Sequence, residues 1–254
     1  MKILHSKILG EGFPFLILHG YLGMGDNWKS LANRFGKNFQ IHLIDQRNHG
    51  RSLHHDDFNY NHLTEDLLAY IQYHKLKKII LLGHSMGGKT AMFFSVKFPN
   101  LVYKLIIVDI SPRYYKPHHN EILKAINSID FSIQNSRKLV DQKLAEFISE
   151  VGIRSFLLKN VYWIDKGVLA YRFNLKSLTK NSSEIGKELP LHTIFLGETI
   201  FISAGNSGYI TKNDIPIIKA HFPNSSIETI NNVGHWIHAE KPKIFYDLVI
   251  KFLL

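Results

Sequence analysis

Four short apolar runs, each bounded by turn or polar residues, restrict this 254-residue chain more than any other feature. Phe15-Leu16-Ile17-Leu18, Ile41-His42-Leu43-Ile44, Ile79-Ile80-Leu81-Leu82 and Leu105-Ile106-Ile107-Val108 show almost no polar alternation, so each reads as a strand covered on both faces. Between them, residues 28–35, 63–74 and 86–98 carry helical spacing, and Pro99 stops the last of these. Alternation of this kind predicts an α/β fold, a parallel sheet with helices on both sides.

After Pro112 the pattern changes. Ile122, Ile126 and Ile129 recur at helical spacing, as do Val140, Leu144, Phe147, Ile148 and Val151, and no strand is predicted until near residue 194. The expected organisation is a core of residues 1–111 and 190–254 with a helical excursion, 112–189, inserted in it. The sheet resumes with Thr199-Ile200-Phe201-Ile202 and Ser226-Ile227-Glu228-Thr229-Ile230, and a last helix is expected over 242–252.

Composition narrows the chemistry. The chain has no cysteine, which removes disulfides, thiolate metal sites and cysteine nucleophiles. Glycines and Pro14 interrupt any leader-like apolar core at the start, and no apolar run approaches a membrane span, so a cytoplasmic protein without membrane insertion is expected. The net charge is +10, but no run of five like charges and no basic stripe interleaved with aromatics exists, so no nucleic-acid partner is expected. Positive charge is concentrated over 112–189. It would suit an anionic handle such as a coenzyme A phosphate, although a solvated lysine face is the plainer reading.

Residues 81–90, LLGHSMGGKT, satisfy two incompatible signatures. Gly83-His84-Ser85-Met86-Gly87 is the G-x-S-x-G nucleophile elbow, and Gly83 to Thr90 also fits G-x-x-x-x-G-K-T, a phosphate loop. Asp109, at the end of the next apolar run, could hold magnesium beside such a loop. Both motifs need a strand before and a helix after, so the decision comes from elsewhere in the chain. Two or three strands precede the loop, whereas a phosphate-loop domain usually begins with it. His19-Gly20-Tyr21-Leu22-Gly23 follows a strand, and the amides of Tyr21 and Met86 are expected to form an oxyanion hole. Asn232-Val233-Gly234-His235-Trp236 follows the last strand and places His235 where a general base belongs, with His238 in the following helix or at the pocket rim. The turn after the Thr199 strand, Ala204-Gly205-Asn206-Ser207-Gly208-Tyr209, holds no acid. Glu198 precedes that strand and Asp214 lies in the next helix, which leaves Asp109 as the carboxylate, in the chain order Ser, Asp, His. Taken singly, each motif has an ordinary explanation, a helix cap in the case of Asp109. Four at the ends of successive strands point together to acyl transfer.

The stretches HGYLG and DNW (19–28), DQRNHGRS (45–52), GHSMGGK (83–89), VDISP (108–112), AGNSGYI (204–210) and GHWIHAEKP (234–242) resemble the α/β-hydrolase superfamily, and within it the YbfF-type esterases and α/β-hydrolase domain-containing protein 11. The resemblance spans almost the whole chain. It implies an eight-stranded, mostly parallel sheet under an α-helical cap and cleavage of acyl esters or thioesters with no cofactor and no metal. Ser85 is then the nucleophile, His235 the base and Asp109 the triad acid after the sixth strand, while Tyr21 and Met86 supply the oxyanion amides. Asp45 and His49 read as structural members of a tight turn, and Trp236 as a wall of the acyl pocket or a packing residue under the cap. Gly208 stands where the family often has proline. A small acyl ester or acyl-CoA substrate and a monomer or weak homodimer are expected. The rival from another class is a hydrolase-fold receptor or signalling module that turns over slowly.

Overall fold

The computed structural model describes residues 3–254. In chain order the elements are β1 (Ser6–Leu9), β2 (Phe13–Leu18), α1 (Lys29–Phe35), β3 (Phe39–Ile44), α2 (Tyr60–Tyr73), β4 (Ile79–His84), α3 (Met86–Lys97) and β5 (Val102–Val108). There follow α4 (Asn120–Asn127), α5 (Arg137–Ala145), α6 (Val151–Leu158), the strands β6 (Val161–Asp165) and β7 (Val168–Tyr171), and α7 (Leu175–Lys180). The chain then closes with β8 (Glu198–Ala204), α8 (Ile215–His221), β9 (Ser225–Ile230), α9 (Ile237–Glu240) and α10 (Pro242–Leu253).

Seven strands form one sheet in the order β1-β3-β2-β4-β5-β8-β9. Only the β1–β3 pair is antiparallel. The period-2 geometry of a strand explains why the apolar runs lack alternation. Leu16 and Leu18 of β2, Leu81 of β4, and Leu105 and Ile107 of β5 face one core with Leu67 and Ile71 of α2 and Met92 and Phe94 of α3. Their neighbours Phe15, Ile17, Ile80, Leu82, Ile106 and Val108 face the opposite core with Leu31 and Phe35 of α1 and Phe245 and Val249 of α10.

Two expectations need correction. The sheet has seven strands among the described residues, where the resemblance implies eight. Among the described residues β1 pairs only with β3 and forms one edge of the sheet. The segment between β5 and β8 is also not purely helical, because β6 and β7 pair as an antiparallel hairpin. Its turn needs Gly167, which has φ of +79°. The helical spacing holds for Val140 and Leu144, which are buried on α5, whereas Val151 opens α6 and is 65% exposed. This segment has its own core, with Leu123, Ile126, Val140, Leu144, Leu157 and Leu169 packed together and against Tyr21, Phe58, Tyr60 and Met86 below.

Candidate active site

The parallel strands β2, β4, β5 and β8 end on one side of the sheet, which is where ligands of open α/β sheets bind. Ser85 stands between β4 and α3 with φ 53° and ψ −117°, a conformation disfavoured for a residue with a side chain. Its amide donates to Val108 O at 3.0 Å, and its carbonyl accepts from the Lys89 amide at 3.0 Å. The flanking glycines permit the turn: a Cβ on Gly83 would lie 2.1 Å from Gly87 O, and one on Gly87 would lie 2.4 Å from Leu18 O. Ser85 therefore stands at the N-terminal end of α3, where the helix dipole favours negative charge.

Asp109, one step past β5, is fully buried and also has positive φ, 49°. Its amide donates to Ile202 O at 2.8 Å, and its Oδ1 accepts from the Ala204 amide at 3.0 Å. The other oxygen, Oδ2, is 2.7 Å from His235 Nδ1. With that carboxylate as acceptor, the imidazole carries its proton on Nδ1 and leaves Nε2 free as a base. His84 Nε2 donates to the His235 carbonyl at 2.9 Å, which anchors the loop. Tyr209 stacks on the His235 ring, with centroids 4.2 Å apart and planes 22° from parallel. Ser85 and His235 line the same cavity without a direct hydrogen bond between their side chains among the described residues.

Tyr21 belongs to the loop after β2. A Cβ on Gly20 would lie 3.4 Å from Ser85 Cβ, so this loop runs directly against the elbow. The amides of Tyr21 and Met86 donate to no backbone carbonyl among the described residues. The DQRNHGRS turn holds the loop in place. His49 Nε2 accepts from the Leu22 amide at 3.1 Å, Asp45 Oδ1 from the Gly25 amide at 2.7 Å, and His19 Nε2 from the Gln46 amide at 3.0 Å. From the segment above, Asn160 donates to Leu22 O at 2.8 Å, and the Tyr21 hydroxyl donates to Leu178 O at 2.9 Å.

The cavity has a volume of about 260 Å³. Its wall combines loop residues with Ile122, Ile153, Phe156 and Leu157 of the segment above. Trp236 lines the cavity and packs on Phe156 with ring centroids 5.8 Å apart. Burial pulls the imidazoles around His235 down: His19 to about 4, His119 and His238 to about 3, and His84 well below the usual range. Neutral neighbours do not oppose an imidazolium at His235 as cationic ones would.

The competing assignments find other partners. Asp214 Oδ1 accepts from Ser111 at 2.9 Å and Arg113 at 2.7 Å, and its Oδ2 accepts from Thr211, so it caps and ties a loop away from His235. Lys89 does not face a phosphate cradle. Its Nζ is buried and donates to the carbonyls of Pro112, Arg113 and Lys187 at 3.0, 2.5 and 2.9 Å. Thr90 Oγ1 donates to Met86 O inside α3. No group of three or more His, Asp or Glu side chains among the described residues is arranged to hold a metal ion. No helix among them is long and apolar enough to cross a membrane.

A family profile described as the alpha/beta hydrolase fold matches residues 14–131. The sn-1-specific diacylglycerol lipase ABHD11 of Danio rerio is 35% identical over 254 residues, covering 96% of this chain and 79% of that protein. The chain belongs to the α/β-hydrolase family. Esterase YbfF of Escherichia coli strain K12 is 30% identical, covering 94% of this chain and 92% of that protein. Among solved structures, a marine microorganism esterase matches with a TM-score of 0.96 at 40% identity, covering 99% of this chain and all of that one.

Within this hydrolase frame, sequence reasoning missed three neighbours of the candidate triad. Tyr209 lies in the turn after β8, which stands out in the sequence only for its missing carboxylate. His84 sits inside the elbow motif at a position the pattern leaves open. His119 follows Pro117 in a stretch with no periodicity, yet it lines the cavity and packs against Tyr21 with centroids 5.0 Å apart.

Proposed function

We propose that this hydrolase cleaves carboxylic esters or acyl thioesters through a Ser85-His235-Asp109 triad. The observation that carries the reading is the 2.7 Å contact of His235 Nδ1 with buried Asp109, at a cavity whose wall also holds Ser85 on its strained turn. Ser85 Oγ attacks the acyl carbon as His235 Nε2 takes its proton, and the amides of Tyr21 and Met86 receive the oxyanion. Collapse breaks the bond to the alcohol or thiol, which leaves with the proton from His235. Water, deprotonated by His235, then attacks the acyl-enzyme, and collapse returns the proton to Ser85 as the acid departs.

Residues 112–189 act as a cap over the core of 1–111 and 190–254, contributing the outer wall of the acyl pocket together with Trp236. The names of the relatives, lipase and esterase, favour oxygen esters as the first class to try, and the cytoplasm is the compartment in which we place the protein. The test is an acyl-donor panel of p-nitrophenyl esters of increasing chain length, a diacylglycerol and acyl-CoA species, run with Ser85→Ala as control. Turnover by wild type that Ser85→Ala loses is the expected result. A folded wild type without turnover on any donor would overturn the reading in favour of a ligand receptor.

A further inference from the structure

His238 is a buried polar group that the proposed chemistry leaves unused. It lies on α9, is 7% exposed, and stacks on Trp28 with centroids 4.0 Å apart and planes 10° from parallel. Its other neighbour is His84, 4.9 Å away centroid to centroid, and His84 in turn lies 4.6 Å from His235. All four rings line the cavity, so His238 stands one ring away from the base. Its Nδ1 is sealed from solvent and has no hydrogen-bond partner. Its Nε2 has no partner among the described residues either, but it is not sealed in this way. Burial keeps the ring neutral at physiological pH, with a pKa pulled down to about 3, so it carries one proton. An N–H sealed without an acceptor is rarer and more costly than a bare lone pair, which places that proton on Nε2, the nitrogen that is not sealed, in a residue that lines the cavity. Asn27, also in the cavity wall, accepts from the Met24 amide through its Oδ1 at 2.7 Å, which leaves its NH2 as a second donor. The cap side of the wall offers Ile122, Ile153, Phe156 and Leu157 instead.

We propose that His238, backed by Trp28, is a specificity residue that donates a hydrogen bond to a second oxygen on the substrate, so that the cavity selects esters bearing an ether, hydroxyl or carbonyl oxygen near the scissile group over plain hydrocarbon esters. The assignment rests on the esterase reading of this cavity. A site built to hydrogen-bond a substrate oxygen discriminates against the analogue that lacks it, because the donor is then buried unpaired.

Matched esters test it, one pair for each side of the scissile bond. p-Nitrophenyl methoxyacetate against p-nitrophenyl butyrate places an oxygen or a methylene at the same position of the acyl part. 2-Methoxyethyl butyrate against butyl butyrate does so in the alcohol part. Each ratio of kcat/KM is divided by the ratio of the same esters in hydroxide-catalysed hydrolysis, which removes intrinsic reactivity. Wild type is expected to favour the oxygen-bearing ester by about tenfold on one arm, which also identifies the side that His238 reads. His238→Phe keeps a flat ring on Trp28 and should bring that ratio to near unity, while His238→Gln, which retains a donor, should restore part of it. Normalised wild-type ratios near unity on both arms would overturn the assignment without any variant having to fold, and so would a preference that His238→Phe leaves unchanged. No turnover of any of the four esters by folded wild type would overturn the esterase reading itself, and this assignment with it.

Discussion

At the carboxyl rim of the sheet, the candidate reacting groups are held by backbone packed on backbone. Gly83 and Gly87 leave no space for a Cβ, Ser85 and Asp109 both have positive φ, and their amides bond to neighbouring strands. Over 112–189 the cavity wall is held by side chains packed on one another, and a methyl added to Gly152 of α6 would meet nothing within 4 Å. The difference separates two tasks. Reacting atoms need placement to within fractions of an ångström, which a sheet supplies. A pocket wall needs only shape and apolar surface, which many side-chain combinations supply.

The largest expected effect lies at the rim. Asp109→Asn should leave the fold intact and lower kcat/KM by about 10³- to 10⁴-fold, because an amide cannot hold His235 in the productive tautomer. Asp214→Asn, measured on the same ester, should stay within about tenfold of wild type, since the Ser111 and Arg113 contacts it weakens lie outside the reacting set. Near-normal turnover by Asp109→Asn together with loss in Asp214→Asn would move the acid to the other loop.

Next in size is the contrast between glycines. Gly83→Ala forces a methyl to 2.1 Å from Gly87 O in a region with no freedom to move, and should cost about 3 kcal/mol or more of unfolding free energy in urea. Gly152→Ala in α6 meets open space and should be neutral or stabilise by about 0.5 kcal/mol. Equal effects at the two positions would remove the distinction between the regions.

Much of the rim is legible in the sequence because its constraints are local. Close approach needs glycine, so the elbow is written as Gly83 and Gly87. Strand ends are bounded by apolar runs, so His235 and Asp109 can be placed from the sequence alone. The hairpin of 161–171 is not legible, because its two strands are short and half exposed and the segment around them carries helical spacing. Val151 matches that spacing yet is exposed, since a periodic pattern does not say where one helix stops and the next begins. Cavity-facing residues such as His119 and Tyr209 are brought together by tertiary packing, and nothing in their local sequence distinguishes them from other histidines and tyrosines.

Lys89 joins the two regions, and removing it should cost somewhat less than crowding the elbow. Its Nζ donates to the Pro112 and Arg113 carbonyls soon after β5 and to the Lys187 carbonyl on the way back to β8. Lys89→Met preserves the stem's packing but leaves three carbonyls without that donor, and should lower stability by about 2–3 kcal/mol. Hydrogen exchange should rise first at the two ends of the segment, 112–116 and 185–189. Uniform loss of protection throughout the sheet would show that Lys89 supports the core as a whole, and not the junction.

The last effect concerns pH, and it tests whether the rim's imidazoles are structural acceptors. Burial lowers the pKa of His49 to about 3, with His19 adding a smaller lowering, while an unfolded histidine keeps the ordinary 6.5. The unfolded chain therefore binds this proton between pH 6.5 and about 3 when the folded chain does not. Stability contributed in this way is complete above pH 6.5 and is lost as pH falls towards 3. His19, with a pKa of about 4, acts in the same direction over a narrower window. His49→Gln keeps an acceptor for the Leu22 amide and removes the titration, so the fall in unfolding free energy between pH 6 and 4 should flatten by about 1.4 kcal/mol per pH unit relative to wild type. An unchanged slope would mean that folded His49 already takes the proton. A protonated ring could no longer accept from the Leu22 amide at Nε2, and the loop carrying the Tyr21 amide would then keep its contacts with Asp45, His19 and Asn160 but lose this one.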